Sequence, residues 1–331
     1  MTVKRIDFHT HIIPLTIPEF EKTFEGDRWP SIKMLDEDTA NIMVQGKVFR
    51  KISKETWDPA KRIEKMKLEG IDMQVLSPIP VTLCYWAPIE GAVEFAKWQN
   101  NFIADVVQEY PNNFLGLGTV PLQDVDAAIL EMKRCVHQLK LSGLEIGSNV
   151  NGKDLDDPCF LPFFEKAAQW NVPLFIHPCE MIGNERTMND NLSITVGMPM
   201  ELSLTATRLV WSGIFEKFPT IKICLAHGGG AFPYILPRVD IGWNSWPALR
   251  KTEHPPSYYA NKFYYDVLVY DKGNTKYLMD LIGYENLLMG SDDPFIIRET
   301  PPGRAILELD DVSPEIKKAM LGGNALHFLE K

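Results

Sequence analysis

The sequence predicts an α/β protein folded as a (β/α)8 TIM-like barrel, and two observations support this fold class. Eight short apolar runs recur along the chain, and amphipathic helix patterns separate most of them. Strands that alternate with helices form βαβ units and a parallel sheet. The first run is not followed by the G-x-G-x-x-G of a dinucleotide-binding sheet. Eight units in 331 residues therefore favour a barrel over a doubly wound open sheet.

The predicted strands end in polar or glycine residues, and each carries enough apolar residues to be buried. In chain order they are RIDFHTH (5–11), IDMQVLSP (71–78), FLGLGTVPL (114–122), LSGLEIGSN (141–149), VPLFIHP (172–178), IKICLAHGGG (221–230), FYYDVLV (263–269) and NLLMGSDDP (286–294). Helices are predicted between them, for example over 59–70, 126–143, 158–171 and 201–219. The chain, residues 1–331, is thus predicted to be a single barrel domain.

Two segments interrupt this alternation. Residues 15–56 contain prolines, glycines and mixed polarity, and we interpret them as a small insertion in the first βα loop, with short strands around NIMVQGKVFRKI. Residues 228–262 form a second predicted loop excursion, after the sixth strand. Long loops at the carboxyl ends of barrel strands usually carry function.

Composition excludes several classes of partner. The formal net charge of −10 argues against a nucleic-acid footprint and against adsorption to an anionic membrane. No signal peptide and no apolar run of spanning length are recognised. Five cysteines without C-x-x-C spacing are typical of reduced thiols, so a cytoplasmic protein is expected.

Polar residues at the predicted strand ends suggest a metal site. His9 and His11 are two residues apart on the first strand, so their side chains share one face. His177, His227 and Asp292 end the fifth, sixth and eighth strands. The carboxyl ends of barrel strands meet at one mouth.

Converging imidazoles and a carboxylate suit a divalent transition metal with an open coordination position, which activates water near neutral pH. His227, flanked by glycines, is then a group able to exchange a proton. The remaining histidines, His137, His254 and His327, lie in helix or loop patterns and are interpreted as structural.

Several longer strings narrow the interpretation: DFHTHIIP, WDPAKRIEKM, VPLQDVDAA, GNERTM, AHGGGAFPYILPRVD and GSDDPF. Together with the H-x-H and the strand-end residues, they resemble the amidohydrolase superfamily and, within it, the 2-amino-3-carboxymuconate-6-semialdehyde decarboxylase family. The resemblance runs from about residue 4 to the end of the chain. It implies an enzyme of aromatic catabolism, such as tryptophan degradation.

The resemblance also implies a cofactor and the residues that hold it. The family binds one divalent metal, usually Zn2+, and needs no organic cofactor. His9, His11, His177 and Asp292 match its metal ligands, and His227 matches its acid/base histidine. Members with two metals commonly have a carbamylated lysine on the fourth strand, where this chain has Glu145, so a second metal stays open.

A decarboxylase must hold a carboxylate, which arginine binds bidentately. By the same resemblance, Arg50 matches a substrate-carboxylate arginine, with Lys47 as a helper. Arg238 matches an arginine that reaches the neighbouring subunit's site in the family's dimers, so a homodimer is expected. Phe295 and Trp86 are expected to be pocket walls, and Trp57 a packing residue.

The sequence departs from the family in two places. Asp293 occupies a position that often holds an aromatic residue, which is expected to change the charge of the pocket. Residues 186–197 also lack an aromatic residue that related decarboxylases often have.

Three functions remain open at the level of sequence. The first is a metal-dependent, nonoxidative decarboxylase of a carboxylated muconate semialdehyde, or of a hydroxybenzoate. The second is a hydrolase or hydratase that uses the same metal and His227. The third is a barrel with a vestigial, non-catalytic site. Whether a decarboxylase of this kind hydrates its substrate or protonates it directly is also open.

Overall fold

A computed structural model describes residues 4–187 and 189–331, and a barrel of parallel strands lies at its centre. The strands in these residues are β1 (Ile6–Ile12), β2 (Ser31–Met34), β3 (Thr39–Val44), β4 (Lys47–Ser53), β5 (Met73–Pro78), β6 (Phe114–Gly118), β7 (Gly143–Gly147), β8 (Asn149–Val150), β9 (Lys153–Asp154), β10 (Leu174–His177), β11 (Ile223–Leu225), β12 (Tyr264–Asp266) and β13 (Leu287–Leu288).

Eight of these strands form the barrel, in the order β1-β5-β6-β7-β10-β11-β12-β13, and every neighbouring pair is parallel. The last strand closes on the first through main-chain hydrogen bonds. Phe8 N donates to Met289 O at 2.8 Å, and Asp292 N donates to His9 O at 2.9 Å. The predicted (β/α)8 barrel, with each of its eight strands, is therefore confirmed.

Helices surround the barrel and connect successive strands. They are α1 (Pro59–Glu69), α2 (Ile89–Glu109), α3 (Val125–Lys133), α4 (Leu161–Gln169), α5 (Asn184–Thr187), α6 (Met198–Trp211), α7 (Ile214–Lys217), α8 (Phe232–Ser245), α9 (Pro256–Ala260), α10 (Lys272–Ile282), α11 (Arg304–Leu307), α12 (Pro314–Lys318) and α13 (Asn324–Leu329). Within residues 4–187 and 189–331, each helix is too short or too polar to cross a lipid bilayer.

Aromatic rings fill the barrel beneath its mouth. Phe8 on β1 and Phe175 on β10 are fully buried, and their ring centroids are 5.1 Å apart in an edge-to-face arrangement. The ring of Phe175 also lies 4.9 Å from that of His9. The packed interior thus supports the histidines directly.

The insertion after β1 is a small antiparallel sheet in the order β2-β3-β4. The strands predicted around residues 41–52 are therefore present. Ile42 and Ile52 of this sheet are buried in a cluster with Ile13 and Phe295 from the barrel side. Trp57 belongs to the same cluster, in agreement with its predicted packing role. This apolar contact fixes the insertion to the mouth.

The segment 228–262 differs from the predicted loop because α8 and α9 occupy much of it. Pro237 lies inside α8, where it cannot donate a hydrogen bond to the carbonyl of Pro233. The hydroxyl of Tyr277 donates to that carbonyl instead, at 2.9 Å. Burial of Phe232, Leu236 and Trp243 on one side of the helix outweighs the cost of the proline.

The aromatic layer under the mouth should be essential for stability. Replacement of Phe175 by alanine leaves a cavity between Phe8 and His9, so we expect the free energy of unfolding to fall by about 3–5 kcal/mol. Urea denaturation measures this change. The control is Leu130→Ala, because Leu130 is 70% exposed on α3. If both substitutions lowered the free energy of unfolding equally, the predicted importance of the aromatic layer would be contradicted.

Candidate metal centre and active site

The side chains of His9 and His11 converge at the carboxyl end of β1. Both are fully buried, and their Nε2 atoms are 3.1 Å apart. Residues two apart on a strand share a face, and the residues on both sides of this pair are held in the barrel wall by pairing of β1 with β5. The strand geometry predicted from H-x-H is thus present.

His177 and Asp292 join this pair from two other barrel segments. His177 is the last residue of β10, and Asp292 follows β13. One ligand atom from each of the four residues lies within 4.8 Å of the others. Asp292 Oδ1 is 3.5 Å from His9 Nε2 and 3.3 Å from His11 Nε2. Two ligands on one tetrahedral metal ion are separated by about 3.4 Å, so this donor set fits a divalent metal.

An acidic partner orients His9. Asp266 at the end of β12 accepts a hydrogen bond from Nδ1 of His9 at 2.6 Å, which directs Nε2 toward the ligand cluster. Asp266 also accepts from the main-chain N–H of Gly228, at 2.9 Å. A carboxylate behind a ligating histidine is common in metal sites. Asp266 was not predicted from the sequence, because it lies in the middle of the seventh predicted strand (263–269), whereas the observed strand β12 ends at Asp266.

Main-chain carbonyls orient the other two histidines. His11 Nδ1 donates to Pro78 O at 2.7 Å, and His177 Nδ1 donates to Pro178 O at 3.1 Å. Both rings therefore keep Nε2 free of a proton and available to a metal.

The electrostatics of the cluster favour a bound cation. Burial opposes protonation of His9, but Asp266 and nearby carboxylates raise its pKa to about 9. Burial lowers the pKa of both His11 and His177. Asp292 Oδ1 is buried and receives no hydrogen bond from the described part of the chain. These residues thus fit a divalent ion, which supplies the positive charge that the carboxylates require.

His227 lies beside the ligand cluster but is not part of it. It begins a turn after β11, and its ring stacks on that of His9 with centroids 5.3 Å apart. Burial and the neighbouring His9 lower its pKa to about 4, so the ring is neutral near pH 7 and offers a lone pair. Gly230, three residues later, has a φ of 63°, and a Cβ there would lie 1.9 Å from Pro199 O. Glycine therefore permits the close turn that presents His227.

Two cavities open at this mouth. One has a volume of about 380 Å³ and is lined by His227, Asp292, Tyr270 and apolar residues such as Ile297. The other has a volume of about 710 Å³ and includes Trp86, as predicted for a pocket wall. Met198 lines both. A small organic substrate fits either volume.

The insertion brings Arg50 toward the cluster. Its guanidinium carbon lies 4.0 Å from the centre of the Phe295 ring, which in turn stacks on His11 at 5.2 Å. Burial lowers the pKa of Arg50, against the attraction of Asp292. The structure therefore places Arg50 and Phe295 near the metal ligands.

Lys47 and Arg238 lie elsewhere. Lys47 is exposed at the start of β4, and Arg238 is exposed on α8. Within the described ranges, neither forms an ion pair. His137, His254 and His327 are outside the ligand cluster, as expected for structural residues. Met188, part of the predicted aromatic-free segment, is not among the described residues.

Asp293 and Glu145 are both buried, but they differ in their surroundings. Asp293 pairs with Lys65 and Arg62, which compensate its charge, and its effect on the charge of the pocket stays a prediction. Glu145 Oε2 is 3.7 Å from His11 Nδ1, which already donates to Pro78 O. Burial raises the pKa of Glu145 to about 8. In the described part of the chain, Glu145 is not one of the clustered ligands.

A family model described as Amidohydrolase matches residues 6–331. The chain is also 40% identical to the 2-amino-3-carboxymuconate-6-semialdehyde decarboxylase of Dictyostelium discoideum. That alignment covers 98% of this chain and 91% of the relative. The similarity therefore includes the barrel, the insertion and the mouth.

Solved structures show the same architecture. The 5-carboxyvanillate decarboxylase of Sphingomonas paucimobilis superposes with a TM-score of 0.84 at 25% identity, over 99% of both chains. A 5-carboxyvanillate decarboxylase of Novosphingobium aromaticivorans, solved with bound manganese, has a TM-score of 0.78 at 25% identity. This match covers 84% of the present chain and 83% of the other.

Removal of two ligands should abolish metal binding. We expect the double variant His9→Ala/His11→Ala to lose its divalent ion, because it loses two neighbouring nitrogen donors of the cluster. Elemental analysis of the purified protein measures the metal content. His137→Ala, which changes an exposed histidine outside the cluster, should keep the parent's content. Full metal occupancy in the double variant would refute the site.

Proposed function

Because the chain belongs to the amidohydrolase family, we propose that it is a metal-dependent, nonoxidative decarboxylase that acts on a carboxylated muconate semialdehyde. The observation that carries this proposal is the cluster of His9, His11, His177 and Asp292 beside His227. The identity with the Dictyostelium relative supports the substrate class.

We assign Zn2+ as the metal. Three imidazole nitrogens and one carboxylate oxygen are the donors that zinc accepts in catalytic sites. When bound, the ion supplies Lewis acidity and activates water near neutral pH. The manganese in the Novosphingobium structure belongs to that protein. For the present chain, competition between Zn2+ and Mn2+ for the metal-free protein distinguishes the two ions.

Arg50 is assigned to the substrate carboxylate. A guanidinium offers two parallel N–H donors to a carboxylate, and partial burial strengthens this contact. Phe295 separates Arg50 from His11, so a substrate bound by Arg50 extends over an aromatic surface toward the metal ligands. Lys47, three residues earlier on β4, would add positive charge at the edge of the site.

His227 is assigned to proton transfer. Its neutral ring takes up a proton from solvent and donates it to the carbon that loses carbon dioxide, and the electron pair of the broken carbon–carbon bond forms the new carbon–hydrogen bond. Asp292 lines the same cavity as His227, so ligand and proton-transfer group face one substrate.

The function is tested by release of carbon dioxide. The zinc-loaded protein should convert a carboxylated muconate semialdehyde with loss of absorbance and stoichiometric carbon dioxide. His227→Ala should keep the metal but turn over about 10²–10⁴-fold more slowly, as expected for loss of a general acid or base.

The same assay separates the alternatives. Loss of absorbance without carbon dioxide would indicate a hydratase and refute the decarboxylase. If the protein converted hydroxybenzoates but no muconate semialdehyde, its substrate class would be the hydroxybenzoates. If the His227→Ala protein turned over at the wild-type rate, His227 would have a structural role and not a role in proton transfer.

We further propose that the protein is a homodimer in which Arg238 completes the site of the neighbouring subunit. Tyr234, Arg238 and Ile241 share one face of α8, and Tyr234 and Ile241 are 80% and 65% exposed. Trp246 and Leu249 extend this apolar surface. Exposed apolar residues around a cation are typical of an interface, and a twofold dimer would give two equivalent sites.

Subunit mixing tests the shared site. Arg238→Ala and His227→Ala proteins should each be inactive, but in a mixed dimer one site keeps both wild-type side chains. Activity should therefore return to about half of the wild-type value per heterodimer. Native mass spectrometry verifies the exchange. Exchange without recovery of activity would show that Arg238 acts within its own chain or has another role.

A further inference from the structure

Asp293 lies directly after the metal ligand Asp292, yet its carboxylate points into a separate group of cations. It pairs with Lys65, lies 3.6 Å from Arg62 Nη1 and lies 3.7 Å from Arg298 Nη1. The carboxylate is thus charged and held in one place.

Two further carboxylates balance the cations. Arg298 Nη2 is 2.7 Å from Glu69, and Lys65 is 3.5 Å from Glu55. A network whose charges are balanced avoids the large cost of an uncompensated buried ion. This network of ion pairs is therefore rigid, and because its charges are balanced it adds no net electrostatic field at the metal ligands.

Arg62 connects this network to the metal site. It is fully buried although it lies on α1, and its Nη2 donates to the main-chain carbonyl of His11 at 2.5 Å. On the other side of the same residue, the N–H of His11 donates to the carbonyl of Asp293 at 2.8 Å. Both main-chain polar groups of His11 are thus held by residues that contact each other.

We propose that Arg62 and Asp293 are positioning residues, here called the Arg62–Asp293 clasp, that set the spacing between the metal ligands His11 and Asp292. The clasp joins β1 to the segment after β13, where the barrel closes by only a few main-chain hydrogen bonds. In the described part of the chain, neither side chain belongs to the ligand cluster. The inference rests on the metal site of the proposed function, and it adds that these two residues determine how tightly the site binds a divalent ion.

Gln74 strengthens the clasp from β5. Its side-chain oxygen accepts from Arg62 Nη1 at 3.1 Å, and its nitrogen donates to Asp293 Oδ2 at 3.4 Å. The guanidinium of Arg62 therefore contacts the carbonyl of His11 through Nη2, and both Gln74 and Asp293 through Nη1. Lysine offers one nitrogen and cannot reproduce this planar fork.

Cobalt binding tests the clasp without reference to catalysis. We expect Asp293→Asn, which keeps the side-chain shape, to bind Co2+ about 10–100-fold more weakly than the parent, the range found when groups that orient metal ligands are changed. Its visible spectrum should also shift, because the Co2+ absorption reports ligand geometry. Arg62→Lys keeps the charge and should show the same two changes.

The matched control is Glu69→Gln, which removes one charge from the same network but has no contact with His11 or Asp292. Its Co2+ affinity and spectrum should equal those of the parent. The double variant Arg62→Lys/Asp293→Asn should lose little more affinity than the weaker-binding single variant, because the two residues act as a unit.

The outcomes separate the clasp from the proposed function. Parent affinity and spectrum in a folded Asp293→Asn or Arg62→Lys protein overturn the clasp. Equal losses in Glu69→Gln and Asp293→Asn also overturn it, because they indicate a general effect of charge. A parent protein that binds no Co2+ or Zn2+ overturns the metal-dependent function together with the clasp.

Discussion

Burial of negative charge beside three histidines is the constraint on which the site depends. Asp266 and Asp292 are both enclosed at the barrel mouth, and in the described ranges the charged partners within ion-pair distance of them are histidines alone. In a medium of low dielectric, such carboxylates are stable only with a positive charge close by. A proton on His9 or a divalent ion meets this need. Asp293, in contrast, has Arg62, Arg298 and Lys65 nearby, so two adjacent aspartates have different electrostatic partners.

The barrel and the metal ligands were predictable because both depend on a simple periodicity. A strand that ends in histidine or aspartate places that residue at the mouth, and the chain has this feature on four strands. Asp266 and Arg62 could not be recognised in the same way. Asp266 acts through a bond between non-neighbouring strands, and this depends on barrel shape. Arg62 lies in a charged helix, where arginine normally indicates a solvent-facing position.

The segment after β11 shows the limit of local rules. Its prolines and glycines favour a loop, but α8 forms because its apolar side packs onto the molecule and because Tyr277 supplies the hydrogen bond that Pro237 cannot. That donor is forty-four residues away from Pro233 in sequence. A tertiary contact of this kind overrides the local preference and leaves no trace in the segment itself.

In the proposed function, the insertion contributes to substrate recognition and the barrel carries the metal ligands. The ligands come from barrel segments held by parallel pairing, whereas Arg50 comes from β4 of the small sheet. The ring of Phe295 lies between the two parts of the molecule. It stacks on the ring of His11 and also contacts the guanidinium of Arg50. A change in the insertion would therefore move Arg50 without moving the ligands. In the proposed function, the distance between the group that binds the substrate carboxylate and the metal ligands is therefore set by a sheet outside the barrel.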